Sequence, residues 1–155
     1  MKIQIGVGIT PLSGTLNIDP SQPNNPDCTA GDFRNLDHYC GRSECTELIG
    51  ETVLDNIPPV MLTQVLQNWA GKLRHGGIIR IGGTDLLELC KAVTYGHITL
   101  QDASFALYGD IRNVWSMKYG QYSSLDVVNL LKQLGLKIVK VRLNGFQMVV
   151  EAVRE

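Results

Sequence analysis

The sequence predicts an α/β fold: a mainly parallel, twisted sheet with helices on both faces, ending in an antiparallel β-hairpin. Three stretches carry that reading. A short apolar run, Lys2-Ile3-Gln4-Ile5, ends in Gly6-Val7-Gly8, and a second, Leu16-Asn17-Ile18, ends in Asp19. An amphipathic stretch opening at Pro58-Pro59 leads through His75-Gly76-Gly77 straight into the apolar run Ile78-Ile79-Arg80-Ile81. Residues 139–152 alternate apolar and polar about Asn144-Gly145. Strands alternating with helices require a parallel sheet, and a terminal hairpin reverses one strand of it.

In chain order, residues 2–5 and 16–18 form the first two strands. Pro20 to Asp27 holds three prolines and reads as a loop, because proline breaks both helix and strand ladders. Asp27 to Ala30 forms a short third strand ending at Gly31-Asp32-Phe33, and residues 45–51 a fourth. Proline is tolerated in a first helical turn, so Pro58-Pro59 opens a helix. Met61, Leu62, Val65, Leu66, Trp69 and Leu73 recur at helical spacing on it. His75-Gly76-Gly77 stops this helix, glycine being free to adopt left-handed backbone. Thr84 caps a helix to about Tyr95, and Thr99, with Asp102 three residues on, caps another to about Tyr108. Ser123 or Ser124 caps a last helix with the stripe Leu125, Val128, Leu131 and Leu134, ending at Gly135. Val139, Val141 and Leu143 then alternate, Asn144-Gly145 turns the chain, and Phe146, Met148, Val150 and Ala152 alternate back.

The 155 residues fit one domain, 1–155, and a chain near this length buries roughly 70% of its unfolded surface. A net charge of -1 with no basic stripe does not indicate nucleic-acid binding. No stretch reads as a membrane span or a secretory leader, so a cytoplasmic setting without membrane partners is expected. Cysteines kept reduced there form no disulfide framework. Cys28, His38, Cys40 and Cys45 lack the C-x2-C pairs that structural zinc sites favour, so no metal is expected. A homo-oligomer is compatible with the sequence.

Glycines after a strand let backbone approach a ligand that a side chain would block. An acid at the tip of the neighbouring strand can accept both hydrogen bonds of a ribose diol. Gly6 and Gly8 with Asp19 therefore point to an adenosine-containing ligand lying across the strand ends. Each alone has an ordinary use, as a tight turn or a residue before proline, and their joint placement sets them apart.

The layout and its motifs resemble the class I S-adenosylmethionine-dependent methyltransferases over about residues 2–153. Gly6-Val7-Gly8 stands at the family's glycine-rich first motif, and Gly14-Thr15-Leu16-Asn17-Ile18-Asp19 looks like its G-x-x-N-x-D. Gly31-Asp32-Phe33-Arg34-Asn35-Leu36 is similar to G-D-x-x-x-L, and Val53-Leu54-Asp55-Asn56-Ile57-Pro58 to V-L-E-H-I-P. Trp69 through Arg80 and Asp85 through Cys90 match two further family segments. The resemblance implies a Rossmann-like methyltransferase fold, S-adenosylmethionine as cofactor, and a small-molecule or sugar-type methyl acceptor. It implies cofactor binding by Gly6, Gly8, Asp19 as the ribose acid, Asp32 and Phe33 at adenine, and Glu51 beyond the fourth strand. Catalytic residues stay open among Glu51, Asp55 and Tyr119, the last in Lys118-Tyr119-Gly120, which resembles a substrate-side H-K-x-G.

The chain also departs from the family. Gln4 stands where many members carry an acid for the methionine ammonium, Thr10 replaces a motif glycine, and Asn56 replaces a histidine. These losses support a second reading, a non-catalytic cofactor-binding or interaction domain of the same fold. A nicotinamide-dependent oxidoreductase is disfavoured, since Pro11 occupies the last glycine position of G-x-G-x-x-G.

Overall fold

The computed structural model describes residues 1–155. Six strands form one sheet in the order β2-β1-β3-β4-β6-β5. They are β1 Lys2–Ile5, β2 Leu16–Ile18, β3 Cys45–Gly50, β4 Leu73–Thr84, β5 Leu136–Asn144 and β6 Gln147–Arg154. β6 lies between β4 and β5 and runs antiparallel to both, while β2, β1, β3 and β4 pair in parallel. The expected Rossmann-like sheet with a terminal antiparallel hairpin is therefore present. Strand order reverses between β1 and β3, the crevice where open α/β sheets bind ligands.

Ile3, Leu48, Ile79 and Ala152 lie in register across four strands on one face. Against that face pack α1 (Pro59–Lys72), through Leu62, Val65, Leu66 and Trp69, and α4 (Ser124–Gln133), through Val127 and Leu131. The helices are shared unequally between the faces. α2 (Leu86–Thr94) and α3 (Leu100–Tyr108) build a small separate cluster from Leu89, Ala103 and Ala106, with Phe146 against it. The opposite sheet face carries an ion-pair row: Lys2 to Glu47 at 3.0 Å, Glu47 to Arg80, and Arg80 to Glu151 at 2.9 Å. The reason lies in the connections, because the chain passes from β1 to β2, and from β2 to Thr29, through loops instead of helices.

Several local expectations shift. Asp27 to Ala30 makes only a single bridge, Ile18 to Thr29, and residues 31–44 are turns held by α1, where Asn68 Oδ1 accepts from the Leu36 N–H at 2.9 Å. α1 stops at Lys72, three residues before His75. Leu73 already pairs with Cys45, and residues 74–77, with Gly76 at φ 73°, bulge out before Ile78 meets Glu47. Asp85, not Thr84, caps α2, its side chain accepting from the N–H groups of Leu87 and Glu88. Thr99 and Ser123 cap α3 and α4 as expected, each in a reciprocal box with the aspartate three residues on. On α4 the inward residues are Val127 and Leu131, and Leu125 is exposed. Asn144 pairs with Gln147, so the hairpin turns on Gly145 and Phe146. Val139, Val141 and Leu143 remain exposed because β5 is the sheet edge.

No helix is long and apolar enough to cross a membrane. Cys28, Cys40, Cys45 and Cys90 are free thiols, and burial pushes the Cys45 thiol up to about 11, where it is unreactive.

Candidate functional site

Three cavities ring the carboxyl ends of β1 and β3. The first, about 310 Å³, is walled by Val7, Phe33, Pro58, Trp115 and Tyr119, with Asp32, Arg34 and Asn56 as its polar groups. The second, about 430 Å³, is mostly polar, lined by Thr52, Asp55, Asp110, Ser116, Lys118 and Gln147 with Phe105 at its edge. The third, about 490 Å³, lies beneath the Gly8–Leu12 loop and includes Gln4, Glu51, Thr52 and Arg80. Val7 is common to the first two, and Thr52 to the second and third.

Backbone conformation and local packing both call for glycine in the turn after β1. Gly8 sits at φ 69°, in the left-handed region, and a Cβ on Gly6 would run into the Ile9 side chain. Asp32 lies across the first cavity from it. Arg34 forks onto its carboxylate, with Nε at 2.9 Å from Oδ1 and Nη2 at 2.7 Å from Oδ2. That guanidinium holds the Asp32 carboxyl below its usual range. Phe33 packs into the core, and its carbonyl accepts from Trp69 Nε1 at 2.8 Å, so the indole of α1 fixes the Asp32-Phe33 turn from below.

Asp19 is placed differently. It has no exposed surface and lines none of the three cavities. Its Oδ1 accepts from the N–H and hydroxyl of Ser21 at 2.8 and 2.6 Å. Its Oδ2 accepts from the Ile9 N–H at 2.9 Å and from Gln22 Nε2 at 2.6 Å. Burial alone raises its pKa, but hydrogen bonds from Ser21, Gln22 and Ile9 outweigh burial and hold it below the usual carboxylate range. Asn17, two residues earlier, bonds the Leu12 N–H, the Leu12 carbonyl and the Asp27 carbonyl. The N-x-D pair thus satisfies loop backbone where a helix would have satisfied its own.

Beyond β3, a 3₁₀ turn at Leu54–Asn56 makes a hub. Both oxygens of the buried Asp55 carboxylate accept from the Thr84 N–H at 3.1 Å, and Lys118 Nζ lies 3.2 Å from Oδ2. Lys118 also donates to the Ala106 carbonyl at 2.9 Å and contacts Thr84 Oγ1 at 3.4 Å. The Asp55 carbonyl accepts from the N–H groups of Tyr119 and Gly120, and Asn56 Nδ2 donates to the carbonyls of Trp115 and Met117. One loop, roughly residues 109–120, is thereby tied down between the first two cavities. Tyr122 anchors its far end by donating to the Ile57 carbonyl at 2.7 Å. Burial, with the Asp55 charge, pushes the Tyr122 phenol up to about 12, so it stays a donor.

Of the residues expected from sequence, Asp32, Phe33 and Tyr119 line the first cavity, Asp55 the second and Gly8 the third, while Gly6 lines none of them. Glu51 faces the third, half exposed and 4.0 Å from Arg142. Sequence reasoning missed Trp115 and Lys118. Lys118 had a signal, the retained lysine of the H-K-x-G-like segment; Trp115, in an unpatterned loop, had none. Gln4 adds an observation of its own: its Oε1 is buried without a hydrogen-bond partner, at the floor of the third cavity.

Comparison with known protein families and with curated proteins finds no sequence match. Solved structures do match in shape. A SAM-dependent methyltransferase from Methanosarcina mazei is 12% identical, with TM-score 0.65 over 99% of this chain and 91% of that one. The magnesium protoporphyrin IX methyltransferase of Synechocystis, solved with bound S-adenosylhomocysteine, is 16% identical, with TM-score 0.60 over 99% and 74%. The 1,6-didemethyltoxoflavin-N1-methyltransferase of Burkholderia thailandensis, also solved with S-adenosylhomocysteine, is 13% identical, with TM-score 0.59 over 98% and 70%. The chain has the class I S-adenosylmethionine-dependent methyltransferase fold.

Proposed function

We propose that the chain binds S-adenosylmethionine across the ends of β1 and β3 and methylates a small-molecule or sugar-type acceptor in the second cavity. What supports this most is the convergence on the first cavity of Val7, Asp32 and Phe33, segments far apart in sequence that the resemblance assigns to one ligand. The residues fit the cofactor group by group. The apolar walls and Asp32-Phe33 suit the adenosine end. The orphaned Gln4 oxygen and the Glu51 carboxylate offer acceptors to an ammonium at the other end. When bound, the cofactor supplies an electrophilic methyl group on a sulfonium. The protein's part is then to align an acceptor and favour loss of positive charge. Thr52, Asp110, Ser116 and Gln147 can hydrogen-bond an acceptor's hydroxyls.

One observation favours the second reading, cofactor binding without turnover. Asp55 and Lys118 neutralise each other, and the lysine's donors are already engaged, so neither stands free as a base.

Calorimetric titration with S-adenosylmethionine and S-adenosylhomocysteine tests the shared premise. Micromolar binding, about -8 kcal/mol, is expected. Absence of binding to a demonstrably folded protein rules out both readings, and product in an acceptor screen then separates them. Gln4→Leu should weaken S-adenosylhomocysteine about tenfold, the loss of one hydrogen bond to a charged group, and leave adenosine binding unchanged. Equal weakening of both ligands would dissociate Gln4 from the amino-acid end.

A further inference from the structure

We propose that in this chain Asp32, and not Asp19, accepts a hydrogen bond from the ribose hydroxyls of a bound adenosine, while Asp19 positions the helix-less loop above the glycine turn. The inference rests on the cofactor reading given above and assigns roles within it.

An ionised carboxylate has about four lone-pair sites. In Asp19 four donors fill them: the Ile9 N–H, the Ser21 N–H, the Ser21 hydroxyl and Gln22 Nε2. A sugar hydroxyl could reach this buried carboxylate only by displacing one of those donors, and they tie the β1–β2 loop (Ile9) to the segment after β2 (Ser21, Gln22). Ser21 Oγ shows the dependence, since it donates to Asp19 and accepts from the Gly8 N–H at 3.1 Å. Removing Asp19 from this arrangement would loosen Gly8 itself.

Asp32 has what Asp19 lacks. It is the one carboxylate lining the first cavity, and its side chain is 53% exposed. Oδ1 accepts from the Arg34 N–H and Nε, and Oδ2 accepts from Nη2 at 2.7 Å and shares the Nε donor at 3.1 Å, so three donors serve this exposed carboxylate where four fill the buried Asp19. Arg34 lines the same cavity with further N–H groups. An acceptor and a donor therefore stand side by side, which matches a vicinal diol: one hydroxyl donates to Asp32 and its neighbour accepts from Arg34. The fork also fixes the carboxylate plane before a ligand arrives.

The test is titration of the full chain with adenosine and with 2′,3′-dideoxyadenosine. Wild type should prefer adenosine by about tenfold or more, as expected for hydroxyls bonded to a charged acceptor. Asp32→Asn should erase most of that preference by weakening adenosine alone. Asp19→Asn should keep the preference while lowering the melting temperature and the affinity for both nucleosides together. Preference retained in Asp32→Asn, or lost in a folded Asp19→Asn, overturns the assignment. The Asp32 side chain is exposed, so its variant decides the matter even where Asp19→Asn does not fold. Failure of wild type to bind either nucleoside or S-adenosylhomocysteine would instead remove the cofactor reading on which the assignment stands.

Discussion

Trp69→Ala is expected to destabilise the domain by about 4 kcal/mol and lower its melting temperature by roughly 10 °C. The indole has no exposed surface and is the largest fully buried side chain in the molecule. Truncating a buried tryptophan leaves a cavity that a close-packed interior fills only in part. It also leaves the Phe33 carbonyl without its donor. Trp69→Phe separates the two effects: it keeps most of the packing and should cost about 1–3 kcal/mol for the unpaired carbonyl. Because that carbonyl fixes the turn below the first cavity, both variants should also weaken S-adenosylhomocysteine. A Trp69→Phe protein with unaltered affinity would show that the turn holds without the indole.

The second large effect belongs to Asp55. Asp55→Ala removes the partner of a mostly buried lysine and the acceptor of the Thr84 N–H, at an expected cost of about 3–5 kcal/mol. Lys118→Met should cost a comparable amount, since it strands a carboxylate in the core. Adding Asp55→Asn to Lys118→Met should restore part of the loss, because no buried charge is then left unpaired. Denaturant titration of Asp55→Asn, Lys118→Met and their double gives the coupling directly. Strict additivity would mean that the two groups act independently. Coupling well above zero would make the pair the fastener of the 109–120 loop, and the singles should then lose ligand affinity more than their stability alone accounts for.

How much of this was legible in sequence differs by element. α1 could be read because Pro58-Pro59 and the apolar residues Met61, Leu62, Val65, Leu66 and Trp69 at helical spacing agree, whereas its end at Lys72, ahead of Gly76-Gly77, was not legible. β1 and β2 were legible as short apolar runs ending in glycine or acid, and β3, with Thr46 and Glu47 inside it, as a weaker candidate. On α4, Leu125-Asp126-Val127-Val128 carries apolar side chains on two adjoining stripes, and only the angle of entry after the Ser123 cap selects Val127 and Leu131. The exposure of Val141 and Leu143 depends on β5 being the edge, which a strand's own pattern does not encode. At the site, Gly8 was readable from a strand end, and Asp32 and Phe33 only from the likeness of residues 31–36 to G-D-x-x-x-L. The saturation of Asp19 was not, because an acid that binds a ligand and an acid that binds its own loop look identical in sequence. Lys118 reaches Asp55 only through tertiary structure.

The loop between β1 and β2 also bears on how fast the protein folds. Parallel neighbours normally wait for a crossover of a dozen or more residues, usually with a helix to be formed and docked. Here residues 6–15 suffice, and Ile3 meets Leu16 across a short closure with a small entropic cost. This corner of the sheet is local in sequence and should zip early. The slow search falls to β4 and β6, whose Arg80–Glu151 pairing spans 71 residues. With the β1–β2 closure this short, the pairing of β4 with β6 should set the folding rate, and substitutions there should slow refolding more than substitutions in residues 6–15.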